Sequence, residues 1–99
     1  MIVERWTFHI KPENFNEAVK HFEQGRKTLW PPSSKFYTSM FGKLNTIVVD
    51  FEFDDFNALE IFWKQAGESK EWAEWGSQTI EFSSERAQSM REVWRLGGD

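Results

Sequence analysis

Twice in this chain an alternating strand pattern passes into a helical one at the same offset, and that doubled unit constrains the fold more than any other feature. Trp6, Phe8 and Ile10 recur every second residue and lead into Phe15-Asn16; Ile47, Val49 and Phe51 do the same and lead into Phe56-Asn57. A period of two followed by a period near 3.6 marks a strand that feeds a helix. Two such units specify an architecture and leave the chemistry open.

The first strand, Ile2 to Ile10, stops at Lys11-Pro12, because proline lacks a backbone donor and turns its predecessor away from helix. Asn14 with Glu17 has the spacing of a capping box for the helix that follows. Phe15, Ala18, Val19, Phe22 and Leu29 share one helical face, and Trp30-Pro31-Pro32 ends it. His21 lies off that stripe and reads as a solvated helix residue. A second strand is expected over Lys35 to Phe41, a hairpin connection over Gly42-Lys43-Leu44-Asn45, and a third strand over Thr46 to Phe53.

Asp54 or Asp55 then caps a second helix with Phe56, Leu59, Phe62, Trp63 and Ala66 on one side. Gly67 interrupts it, Ser69 caps a further stretch through Trp72, Trp75 and Thr79 to about Ser84, and Arg91 to Leu96 forms a last strand before a frayed Gly97-Gly98-Asp99. The order β-α-β-β-α-β over residues 1–99 is a single ferredoxin-like split βαβ domain of the α+β class, with a four-stranded antiparallel sheet and helices on one face.

The pleat then sorts residues by face. Trp6, Phe8, Ile10, Thr38, Met40, Ile47, Val49, Phe51, Phe53, Trp94 and Leu96 are expected to meet the helices. Arg5, Thr7, His9, Tyr37, Ser39, Phe41, Val48, Asp50, Glu52, Arg91, Val93 and Arg95 are expected on the other side. Charges of both signs among aromatics and valines suit a surface where two sheets meet, so a homodimer through the face with Arg5, His9, Asp50 and Glu52 is expected.

Composition narrows the classes. A net charge of -4 with scattered basic residues argues against nucleic acid as a partner, and no apolar run approaches membrane-spanning length. Glu4 and Arg5 interrupt any early apolar stretch, which points to the cytoplasm, and the absence of cysteine removes disulfides, thiolate metal sites and a cysteine nucleophile. With two histidines, a histidine-rich metal site is excluded; no metal and no cofactor are expected.

Six tryptophans and ten phenylalanines in a small chain are the remaining signal. Trp6, Phe8, Phe51, Phe53, Trp63, Trp72, Trp75 and Trp94 are expected to converge between sheet and helices in this arrangement, with Trp6, Phe8, Phe51, Trp63, Trp72 and Trp75 as the candidate ligand contacts. Either they fill the space themselves or they wall a pocket for a hydrophobic or aromatic small molecule, with Tyr37 or Thr38 as a polar handle. His9, Tyr37 and Glu52 are the candidate acid–base groups, and carboxylates such as Glu4 are open to tuning by burial. A protein-interaction module without catalysis is the third reading.

The residues resemble a known group, the NIPSNAP-like members of the dimeric α+β barrel superfamily. The resemblance lies in the opening strand closing on Ile10-Lys11-Pro12, the hairpin Gly42-Lys43-Leu44-Asn45-Thr46-Ile47-Val48, the junction Phe53-Asp54-Asp55-Phe56, Glu71-Trp72 with Trp75, and the closing Arg91 to Leu96. It implies two ferredoxin-like subunits joining their sheets into a barrel. The superfamily includes cofactor-free monooxygenases, cyclases and isomerases acting on aromatic or polyketide-like compounds, and haem-degrading enzymes. The second helical region lacks the histidine that haem-degrading relatives use. Trp6 stands where NIPSNAP-like proteins commonly carry arginine, Val49 where histidine is common, and Glu13 where glycine follows the proline, so no family catalytic role carries over.

Overall fold

The alternation along the first residues becomes strand β1, Ile2–His9, and the alternation around Val49 becomes β3, Thr46–Phe53. In the computed structural model, which describes residues 1–42, 44–84 and 90–97, these two pair antiparallel through the centre of the sheet. Strand β2, Ser34–Thr38, flanks β3, and β4, Met90–Arg95, flanks β1, giving the order β2-β3-β1-β4. Both outer pairings are antiparallel too. Helix α1, Phe15–Thr28, follows β1, while α2, Phe56–Gly67, and α3, Lys70–Phe82, follow β3. This is the ferredoxin-like α+β arrangement with its second helical region divided in two. Lys43 of the hairpin and the terminal Gly98-Asp99 lie outside the described residues.

Local signals decide where the elements begin. Asp55 accepts from the backbone N–H of Ala58 at 2.8 Å, and Ser69 accepts from that of Trp72 at 3.3 Å. Each cap satisfies a donor that the helix itself leaves without a partner. Asn14 makes no such bond: Pro12–Asn14 winds as a 3₁₀ turn that leads directly into α1, so the expected capping box does not form. The end of α3 is tied to the end of β1, with Lys11 N–H donating to Phe82 O at 2.9 Å and Ser84 N–H to His9 O at 2.7 Å. Those two bonds fix how α3 lies over the sheet.

One sheet face meets the helices. Ile47, Val49 and Phe51 of β3 are buried there against Ala18 and Phe22 of α1 and Leu59 of α2. Enclosing an aliphatic or phenyl side chain of this kind contributes about 1.5–3 kcal/mol. The register places Glu4 between Phe51 and Val93, and Trp6 between Val49 and Arg91. Arg91, Val93 and Arg95 therefore belong to the helix side, and Trp94 and Leu96 to the opposite face, the reverse of the expected assignment. The reason is that β4 is an edge strand reached by little of the helical layer. Met90, Val93, Trp94 and Leu96 are all substantially exposed, so alternation alone carries no sense of inside.

Strand β2 begins at Ser34 and ends at Thr38, short of Phe41. Beyond the bond from Ser39 N–H to Thr46 O the chain turns through left-handed backbone at Gly42 (φ 86°) and Asn45 (φ 57°), leaving Met40 82% and Phe41 92% exposed. Met40 is thus no part of the core. Phe36, by contrast, stands on the helix side of β2 and packs on that core.

Candidate functional site

The floor of the site is the middle of the sheet, where Trp6 and Phe8 of β1 lie beside Phe51 of β3. Its roof is Trp63 of α2 with Trp72 and Trp75 of α3, and the rings meet at tilted or edge-on angles: Trp63 to Trp72 at 5.5 Å, Trp72 to Trp75 at 5.7 Å, Phe51 to Trp63 at 6.1 Å. Such geometries are favourable between aromatic quadrupoles. Between floor and roof lies an apolar cavity of about 500 Å³. It stays open because the residues that α2 and α3 turn toward it at their junction, Ala66, Gly67, Ala73 and Gly76, carry little or no side chain. Of the eight aromatic residues expected to converge here, Trp6, Phe8, Phe51, Trp63, Trp72 and Trp75 border this space; Phe53 does not, and Trp94 lies on the opposite sheet face because β4 pairs out of the expected phase.

Several of its polar groups are already engaged. Thr79 Oγ1 donates to Trp75 O at 2.9 Å and lies 2.8 Å from His21 Nε2, while Ser69 Oγ is 3.1 Å from a Glu71 oxygen. The indole N–H of Trp75 donates to His21 O at 3.0 Å. No Asp, Glu, Lys or Arg among the described residues lines the wall. A ligand there meets aromatic faces and aliphatic edges.

Behind the wall stands a buried carboxylate. Glu4, on β1, is 0% exposed. Its carboxylate accepts the indole N–H of Trp6 at 2.9 Å and that of Trp63 at 2.8 and 3.0 Å, and Arg91 of β4 donates to it through Nε at 2.8 Å and through Nη2. The Arg91 guanidinium also lies 5.7 Å from the centre of the Trp6 ring, within cation–π range. A buried carboxylate is tolerable only when paired and hydrogen-bonded in this way. The signal was present: Glu4 is in phase with Ile2, Trp6 and Phe8, and an acid on an apolar face requires donors.

The acid–base candidates lie elsewhere. His9, Tyr37 and Glu52 stand on the sheet face that the helices do not cover. Tyr37 is 50% exposed there and so cannot serve the cavity as a handle; Thr38 is on the helix side but exposed, and does not border the space. Glu52 faces Lys35 at 3.7 Å, and His9 Nδ1 is 3.4 Å from Thr46 Oγ1. His9 and Glu52 pair with positions of the neighbouring strand six residues apart, about 20 Å along the sheet, so they form no joint acid–base centre. On the same face Arg5 grips Asp50 through two bonds of 2.8 and 2.9 Å, and that hydrogen bonding raises the guanidinium's proton affinity further.

His21 is not a solvated residue. Its ring stacks on Trp75 at 4.5 Å between centres, Nε2 reaches Trp75 O at 3.1 Å, and burial lowers its pKa below the usual histidine value despite that bond. Among the described residues no three His, Asp or Glu side chains gather as a metal site, and no helix is long and apolar enough to cross a membrane.

Known proteins give the arrangement a context. No curated protein matches the chain. Among solved structures, an uncharacterised NIPSNAP domain protein from Burkholderia xenovorans superposes with a TM-score of 0.81 at 15% identity, covering 98% of this chain and 95% of that one. A NIPSNAP family protein from Agrobacterium tumefaciens also gives 0.81 at 12% identity, with 95% and 90% covered. An antibiotic biosynthesis monooxygenase gives 0.76 at 12% identity, with 99% and 100% covered. At these identities the likeness establishes the fold. The family itself is established by sequence, for the NIPSNAP pattern matches residues 3–93. The chain belongs to the NIPSNAP family.

Proposed function

We propose that this protein binds an uncharged hydrophobic or aromatic small molecule in the cavity between its sheet and α3, acting as a homodimer in the cytoplasm. One observation carries the reading: an apolar space of about 500 Å³, bordered by four tryptophans and two phenylalanines and left open by Ala66, Ala73 and Gly76. That size falls within the range of about 300–1,000 Å³ typical of small-molecule pockets. No Asp, Glu, Lys or Arg among the described residues lines the wall, and the Thr79, Ser69 and Trp75 polar groups there are engaged, which favours a ligand whose buried part is neutral.

The dimer is supported by the uncovered sheet face. Tyr37, Met90, Trp94 and Leu96 are exposed on it beside the Arg5–Asp50 and Lys35–Glu52 pairs, a mixture of apolar area and fixed charge suited to a self-complementary contact.

Catalysis is the second reading, a cofactor-free monooxygenase, cyclase or isomerase acting on an aromatic or polyketide-like compound. The likeness to an antibiotic biosynthesis monooxygenase favours it. Binding ranks first because His9, Tyr37 and Glu52 do not border the cavity.

The test is a fluorescence titration with the neutral probe N-phenyl-naphthylamine. The reading expects saturable binding of one probe per chain, quenching of tryptophan emission, and weaker binding of the anionic anilinonaphthalene sulfonate. Absence of saturable binding at tens of micromolar contradicts it.

A further inference from the structure

We propose that Glu4 is a positioning residue for the cavity: its carboxylate holds the indole rings of Trp6 and Trp63 at one fixed setting and thereby shapes the wall against which a ligand stacks. The inference rests on the ligand reading given above.

Trp6 comes from β1 and Trp63 from α2, and the two rings are 6.1 Å apart at 59°. Both are only partly buried and border an open space, so packing alone leaves each indole free to rotate toward the void. Glu4 is the acceptor that both N–H groups share, at 2.9 Å from Trp6 and 2.8 Å from Trp63. A strand and a helix are thereby joined behind the cavity through one side chain. Bonds to an ionised acceptor are roughly twice as strong as bonds between neutral groups. Four donors converge on two oxygens, two from the indoles and two from Arg91. A carboxamide offers a single acceptor oxygen and would turn its own N–H₂ toward one of those donors. Arg91 supplies the countercharge that makes a fully enclosed carboxylate tolerable. Trp75 is anchored differently, to the backbone oxygen of His21, and so serves as an internal control.

The experiment compares wild type, Glu4→Gln and Glu4→Asp by N-phenyl-naphthylamine titration and by the indole N–H resonances in nitrogen-correlated NMR spectra. Glu4→Gln is expected to weaken the probe about tenfold, because binding must then itself order the two released indole rings. The Trp6 and Trp63 indole resonances should move while that of Trp75 stays. Glu4→Asp keeps the charge but withdraws it by one methylene, and an intermediate loss is expected. A folded Glu4→Gln protein with wild-type affinity, or with Trp6 and Trp63 resonances in place, overturns the proposal. If Glu4→Gln does not fold, Glu4→Asp decides, and wild-type affinity there overturns it; failure of both to fold assigns Glu4 to stability and overturns it as well. Wild-type protein that binds no probe overturns the ligand reading itself and this role with it, whereas binding that Glu4→Gln leaves unchanged removes only the role of Glu4.

Discussion

Trp75 packs so closely on α1 that its indole Nε1 lies 2.7 Å from the place a Cβ would take on Gly25. Trp30 Nε1 lies 2.7 Å from that same point, so two large rings converge where α1 has no side chain. Glycine within a helix ordinarily costs about 1 kcal/mol relative to alanine. Here the missing methyl group is what admits the rings. Gly25→Ala is therefore expected to destabilise the fold by up to about 2 kcal/mol net, because overpacking a filled site costs about 1–3 kcal/mol and the helix-propensity gain offsets about 1 of it. A urea midpoint equal to or above wild type would show that the rings move aside.

Gly76 makes the opposite case, since nothing lies within 4 Å of a Cβ built on it and it borders the cavity. Gly76→Ala should stabilise α3 by about 0.5–1 kcal/mol through helix propensity alone. Gly76→Phe should place a ring in the cavity and weaken N-phenyl-naphthylamine about tenfold or more, a measurable exclusion for the loss of roughly one apolar contact surface. Unchanged probe affinity in a folded Gly76→Phe protein would put the binding site elsewhere.

His21 gives the fold a pH dependence of defined sign. Burial holds its folded pKa below the ordinary value, which for an unfolded chain is about 6.5. Between those two values the unfolded state binds more protons, so stability falls as pH drops below about 6.5 and levels off beneath the folded pKa. Melting curves from neutral pH downward should show this decline, and His21→Gln should flatten it relative to wild type. Equal slopes in the two proteins would remove His21 as the cause.

Glu52 sits on the uncovered face with Lys35 at 3.7 Å, a partly exposed pair worth about 0–1 kcal/mol to the single chain. If the proposed dimer forms, Glu52→Lys should leave the melting temperature of the subunit nearly unchanged while raising the dimer dissociation constant about tenfold, because it sets a second positive charge beside Lys35 on the proposed contact face. Sedimentation equilibrium measures it. Wild-type protein that stays monomeric at tens of micromolar contradicts the sheet-to-sheet dimer.

The parts of this fold legible in the sequence are those where one physical contrast repeats. Along β1 and β3 one face is enclosed by helices and the other is not, so alternation from Trp6 to Ile10 and from Ile47 to Phe53 gave the right sides. Asp55 and Ser69 cap as their positions imply, because a cap depends on neighbours three residues away. On β4 the contrast vanishes: Trp94 is 54% exposed and Val93 is exposed as well, and only pairing with β1 assigns them to faces. His21 lies off the apolar stripe of α1 and is nevertheless packed, because α1 has two partners. The sheet takes the Phe22 stripe, and Trp75 of α3 takes the adjacent edge, which no periodicity within α1 reveals. Six of the eight aromatic residues expected together border the cavity, while Phe53 and Trp94 do not. Whether they filled it depended on small residues of α2 and α3 facing them, a matter of three-dimensional placement.

The tryptophans themselves offer the most direct measurement, since Trp6, Trp63, Trp72 and Trp75 border the cavity while Trp94 lies on the opposite sheet face. Their indole N–H resonances should be followed during titration with a neutral naphthalene derivative. The account predicts that the four cavity resonances shift together and saturate while Trp94 stays in place. Shifts confined to Trp94, or none among the four at saturating ligand, would contradict it.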